Sequence, residues 1–130
     1  MTPRSHTRGR LSRSAEFDRV YRQGRSTANR HLALYTFANA SAQRPRLGLS
    51  VSRKVGGAVE RNRVKRLLRE AFAQLEGSLP ARQDVVIVAR PPVGELAERE
   101  GLAGVQATLT ELIGKAGIGA EREPEEEDLS

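Results

Sequence analysis

Cysteine is absent from the 130 residues, which excludes a disulfide framework, thiolate chemistry and zinc sites of the Cys-rich kind, and fits a reducing compartment. Histidine is scarce: His6 falls in a basic, aperiodic start and His31 on an expected strand, where a surface or cleft role suits it better than that of a general base. No pair of acids sits in the ordered basic part at metal-ligand spacing, so no catalytic residue and no protein-held metal are assigned. Long apolar runs are missing as well. Nothing approaches a membrane span, and residues 1–13 lack the apolar centre of a secretory signal, so the expected location is the cytoplasm.

What is present is positive charge. Hydrophobic residues make up 38% and charged residues 29% of the chain, which suits one soluble domain with a modest core. The net charge of +6 conceals an asymmetry: residues 1–90 hold 19 basic and 6 acidic side chains, a balance of +13, whereas residues 91–130 come to −7. Nineteen of the 22 cations are arginine. Its planar fork donates two hydrogen bonds to a phosphate and stacks on bases, which favours a nucleic-acid partner, although genome composition also enriches arginine over lysine.

Residues 1–13 read as a flexible basic arm and residues 119–130 as a disordered acidic tail, with one domain over 14–118. Ser14 caps a short amphipathic helix whose stripe is Phe17, Val20 and Tyr21 and whose stop is Gly24. Residues 31–38 alternate as a strand, with Leu32 and Leu34 on one side and His31, Ala33, Tyr35 and Phe37 on the other. Residues 46–52 alternate likewise, with Leu47, Leu49 and Val51 opposite Arg46, Gly48, Ser50 and Ser52. The two strands share a greasy face and an open face of aromatic, small and hydroxylic residues. The β-branched run at 84–89 suits an interior strand covered on both sides, and a helix follows over about 95–115.

Between them lies the best-defined helix, about 57–75. Val64, Leu67, Leu68, Ala71, Phe72 and Leu75 recur at spacings of three and four, and 100° per residue gathers Asn62, Lys65, Arg66 and Arg69 opposite that stripe, with Arg61 and Arg63 on the flanks. A solvated helix face normally alternates cations with acids, but here only Glu60 and Glu70 interrupt the series. The pattern is a phosphate-binding ridge, and it does not by itself distinguish RNA from DNA.

Arg46-Leu47-Gly48-Leu49-Ser50-Val51-Ser52-Arg53-Lys54-Val55-Gly56, followed by Ala58-Val59 and Arg61-Asn62-Arg63-Val64-Lys65-Arg66, resembles the signature of the bacterial ribonuclease P protein family. Phe17, Val20, Tyr21 and Gly24, with Ala28-Asn29-Arg30, are similar to the same family in the same order, so the likeness covers about residues 11–90. The resemblance implies an α+β fold: an α/β sandwich of three helices and a four-stranded, mostly antiparallel sheet, with a left-handed βαβ crossover like that of a ribosomal protein and a translation elongation factor. Physical priors alone favour a right-handed crossover.

The resemblance further implies a noncatalytic protein subunit of ribonuclease P, which helps a catalytic RNA remove the 5′ leader of precursor tRNA. Its RNA-contacting helix and loop map onto Arg53, Lys54, Arg61, Asn62, Arg63, Lys65, Arg66 and Arg69. Its leader cleft maps onto Phe17, Tyr21, His31, Ala33, Tyr35, Ser50 and Ser52, although periodicity alone gives Phe17 to the core. The implied partners are ribonuclease P RNA and precursor tRNA, with no obligate protein partner and no membrane; Mg2+ is held mainly by the RNA. Two other readings compete at this stage, an RNA-binding module of ribosomal-protein type and a basic-helix DNA binder. The aromatic and hydroxyl face argues against the second, because it suits unpaired bases better than duplex grooves.

Overall fold

The computed structural model describes residues 17, 20, 22, 24–40, 42–79 and 82–117. The basic arm expected at 1–13, the acidic tail expected at 119–130, and Tyr21 lie outside the described residues. Four strands, β1 (Arg25–Ala28), β2 (Leu32–Ala38), β3 (Arg46–Ser50) and β4 (Gln83–Ala89), accompany two long helices, α1 (Ala58–Leu75) and α2 (Pro92–Ala116). Phe17, Val20 and Arg22 are also helical, and the Gly24 N–H closes this turn onto the Val20 carbonyl at 2.9 Å. Gly24 then passes so close to β2 that a Cβ there would stand 2.2 Å from the Thr36 carbonyl oxygen.

The strands are ordered β1-β2-β4-β3, antiparallel at β1–β2 and β2–β4 and parallel at β4–β3. β4 is interior, as its β-branched run requires, because each of its faces meets a different layer. Val85, Ile87 and Ala89 join Leu32, Leu34 and Leu47 under α1 and α2, while Val86 faces Val20 on the other side with Phe17, Tyr35, Phe37 and Val88 around it. α1 contributes the expected stripe, Val64, Leu67, Leu68, Ala71 and Phe72, all buried. Full burial of such aliphatic side chains stabilises by about 1.5–3 kcal/mol each, so the helical layer carries most of the stability.

Three features depart from the sequence reading. β1 is an exposed edge strand of four residues, RSTA, with too little apolar alternation to be read. The strand expected to reach Ser52 ends at Ser50, because a turn begins at Ser52, whose carbonyl accepts from the Val55 N–H at 3.0 Å. α2 starts earlier than expected, with proline in its first turn, and breaks at Gly101 (φ 62°, ψ −146°), a conformation suited to glycine.

One buried charge ties the sheet's far end. Asp84 is 0% exposed, and its two oxygens accept from Arg46 Nε at 2.9 Å and Nη2 at 3.1 Å and from Asn39 Nδ2 at 3.2 and 3.1 Å. Arg46 and Asp84 are register partners across β3–β4. Removing one member of a buried pair strands the other, so Asp84→Ala is expected to lower stability by about 3 kcal/mol, measured as a shift of the urea midpoint.

Candidate nucleic-acid interface

The register arranges the open face in rows. Tyr35, Val86 and Gly48 are neighbours across three strands, and Ala33, Val88 and Ser50 form the next row. Gly48 brings no side chain and Ala33 only a methyl group, so the floor between Tyr35 and Ser50 is low. Tyr35 and Phe17 are half-buried and pack with the Val20–Val86 cluster at one edge of this floor. Ser52 lies beyond the end of β3, exposed, with its Oγ accepting the Lys54 N–H at 3.3 Å.

His31 corrects the alternation argument. It sits in the bend before β2, and its Nδ1 lies 3.4 Å from Thr108 Oγ1 on α2, which turns the ring toward the helical layer and away from Tyr35. The neighbouring Asn29 does the same: its Nδ2 donates to the Thr108 carbonyl and hydroxyl at 3.2 and 2.9 Å, and its Oδ1 accepts from the His31 and Leu32 N–H groups. Alternation holds only within a paired strand, and His31 precedes the first paired residue.

On α1, Asn62, Arg66 and Arg69 are exposed, and Arg61, Arg63 and Lys65 are half-buried along the flanks. The loop from 52 to 57 presents Arg53 and Lys54 outward while Val55 is buried in the core beneath them. The loop is held from below: a Cβ on Gly94, in the first turn of α2, would stand 2.7 Å from the Val55 carbonyl oxygen. Ion pairs join Arg44 to Glu76, Arg46 to Asp84, and Arg99 to Glu95 and Glu100, and among the described residues none engages Arg53, Lys54, Arg61, Arg63, Lys65 or Arg66. Arg44, Arg46 and Arg99 thus have carboxylate partners, whereas Arg53, Lys54, Arg63, Lys65 and Arg66 carry their charge without one among the described residues.

One further cation belongs with them. Arg90 is exposed, directly follows β4 and donates its backbone N–H to the His31 carbonyl at 2.9 Å. The parallel pairing ends at Ser50–Val88, so Arg90 leaves the sheet at the same edge as the loop that begins after β3. Carboxyl ends of adjacent parallel strands are favoured ligand positions. The signal in the sequence was a lone Arg after a β-branched run, which only the register connects to the Ser52 loop.

A protein-family model described as ribonuclease P matches residues 6–116. The chain belongs to the ribonuclease P protein family. It is a protein component of bacterial type, serving tRNA 5′ processing as a subunit of the endoribonuclease. The ribonuclease P protein components of Shouchella clausii and Geobacillus thermodenitrificans are 43% and 42% identical to it, over 84% and 83% of this chain and 86% of each relative. Among solved structures, the Staphylococcus aureus RNase P protein superposes with a TM-score of 0.76 at 34% identity, covering 85% of this chain and 96% of that one. The Thermotoga maritima RNase P protein gives 0.73 at 31% identity, covering 82% and 96%.

The cationic ridge and the contact beneath the Arg53–Lys54 loop should respond differently to change. Arg66→Ala is expected to leave stability within about 0.5 kcal/mol of the parent in urea unfolding. Gly94→Val is expected to cost about 1–3 kcal/mol and to shift the backbone amide resonances of Arg53 and Lys54, since the loop must move away from the added side chain.

Proposed function

We propose that the protein works as a scaffold with two surfaces: Arg53, Lys54, Arg61, Asn62, Arg63, Lys65, Arg66 and Arg69 hold the catalytic RNA of ribonuclease P, and the open face of the sheet takes the single-stranded 5′ leader of precursor tRNA. The observation that carries this is the cationic face of α1, buried on its apolar side, with Arg63, Lys65 and Arg66 on the other side and Arg53 and Lys54 in the preceding loop all without an ion-pair partner among the described residues. Each phosphate neutralised there would release counterions, so affinity should fall steeply as salt rises.

For the leader, Phe17, Tyr35, Ala33, Ser50 and Ser52 supply stacking faces, close approach and hydroxyl donors without demanding a sequence, and Arg90 adds a phosphate contact at the loop end. Tyr21 belongs to the same reading. His31 contributes through the Asn29–Thr108 junction that fixes the start of β2. The helical Phe17, Val20 and Arg22 represent the third helix of the sandwich in this reading, and the β3–α1–β4 connection is its left-handed crossover.

Among the described residues no three His, Asp or Glu side chains gather as a metal site. In this reading Mg2+ is held mainly by the RNA, where it would supply the phosphodiester chemistry, while the protein's cations screen repulsion between substrate and ribozyme. No helix among the described residues is long and apolar enough to cross a membrane, and the reading places the protein in the cytoplasm with these two RNAs and no obligate protein partner.

Added to a bacterial ribonuclease P RNA, the protein should raise precursor-tRNA cleavage at low magnesium, and protein alone should leave the substrate intact; unchanged cleavage with folded protein would refute the reading. Arg63→Ala with Arg66→Ala should weaken assembly with the RNA and reduce the slope of log affinity against log salt by about 1.5–2. Tyr35→Ala should cost about 1–3 kcal/mol in binding of leader-bearing substrate and spare leaderless tRNA. Equal losses on both substrates would remove Tyr35 from the leader surface.

A further inference from the structure

We infer that Val59 is an apolar contact point for the catalytic RNA, seated against the face of an unpaired base or a ribose; the inference rests on the reading of α1 as the RNA-binding helix. Val59 is 69% exposed, and among the described residues it is the only large hydrophobic side chain left exposed. A single exposed valine on a mixed surface would call for no explanation. Its position does. Three, four and seven residues on are Asn62, Arg63 and Arg66, so Val59 stands at the crown of the cationic face, opposite the buried Val64, Leu67, Leu68 and Ala71.

No described residue covers it. The helix opens on Gly57, which makes no side-chain cap, and Ala58 beside it is small and exposed. Folding gives no reason for valine here: it is a poorer helix former than alanine and leaves its methyl groups in water. A binding role does, because phosphate contacts alone give an attachment that salt erodes, whereas an apolar contact adds a component that salt does not touch. The surrounding charge selects the occupant. A second copy of this chain would bring Arg63 and Arg66 against their like, whereas RNA offers phosphates to the cations and a base or sugar face to the valine.

The full-length protein should be titrated against a bacterial ribonuclease P RNA over a range of salt, comparing the parent with Val59→Ala, Val59→Ile and Arg66→Ala. Val59→Ala is expected to weaken binding about three- to tenfold at every salt concentration, with an unchanged salt slope. Its thermal unfolding should be equal to or higher than the parent's, since alanine favours the helix. Val59→Ile should bind like the parent, and Arg66→Ala should flatten the slope. Parent-like binding by Val59→Ala alongside a weakened Arg66→Ala overturns this inference and leaves the α1 reading intact. Parent-like binding by both overturns both. A Val59→Ala effect confined to the salt slope, or a dimer in sedimentation that Val59→Ala abolishes without changing RNA affinity, also overturns it.

Discussion

The surface of this protein depends on β4 being covered on both faces. Val85 and Ile87 are buried under α1 and α2, and Val86 under Val20, so the strand has to lie inside the sheet with a neighbour on each side. One neighbour is antiparallel and the other parallel. The parallel neighbour forces a long connection, and that connection is α1. A helix required to cross the sheet must bury one side and expose the other, and the exposed side is where the cations collect. The same parallel pairing sends the carboxyl ends of β3 and β4 out at one edge, which brings the Ser52–Lys54 loop and Arg90 to a common border between the ridge and the open face.

Arginine does two jobs in this chain, separated by geometry rather than by residue type. Arg44 and Arg46 reach Glu76 and Asp84 and serve the fold. Arg63 and Arg66 have no such partners among the described residues, and their burden of like charge is tolerable because they project into water from a helix anchored by five buried side chains. The acids at the surface of α2, Glu95, Glu98, Glu100 and Glu111, belong to a different helix, and two of them are matched by Arg99. Segregation of this kind keeps a field on one side of a small domain without cancelling it internally.

Much of this was legible in the residues. α1 was readable because its period is long and unbroken, and β4 because four β-branched residues in succession suit a strand enclosed on both sides. The open face followed from alternation in β2 and β3 and held for Ala33, Tyr35 and Ser50. It failed at His31, which precedes the paired residues and answers to Thr108 on α2. β1 was hidden because an exposed edge strand of RSTA has no apolar period to reveal it, and the break in α2 because Gly101 sits in an otherwise helical pattern. The Arg46–Asp84 pair spans 38 residues of sequence, and Arg90 comes to the same sheet edge as the Ser52 loop only through the parallel pairing of β3 and β4; neither relation has a local signature. The four-stranded sheet came from the family resemblance, not from residue patterning.

The loop that carries Arg53 and Lys54 is ordered before any RNA arrives. Val55 is sunk in the core, the Val55 and Gly56 N–H groups close the turn onto the Ser52 and Arg53 carbonyls at 3.0 and 3.2 Å, and the bare Cα of Gly94 lets α2 press against it. The conformational entropy of that segment is therefore surrendered during folding and is not charged again at association. A helix with no place in the proposed interface thereby becomes a determinant of encounter kinetics: loosening its first turn would slow productive docking by freeing Arg53 and Lys54, while the cations on α1 stay in place.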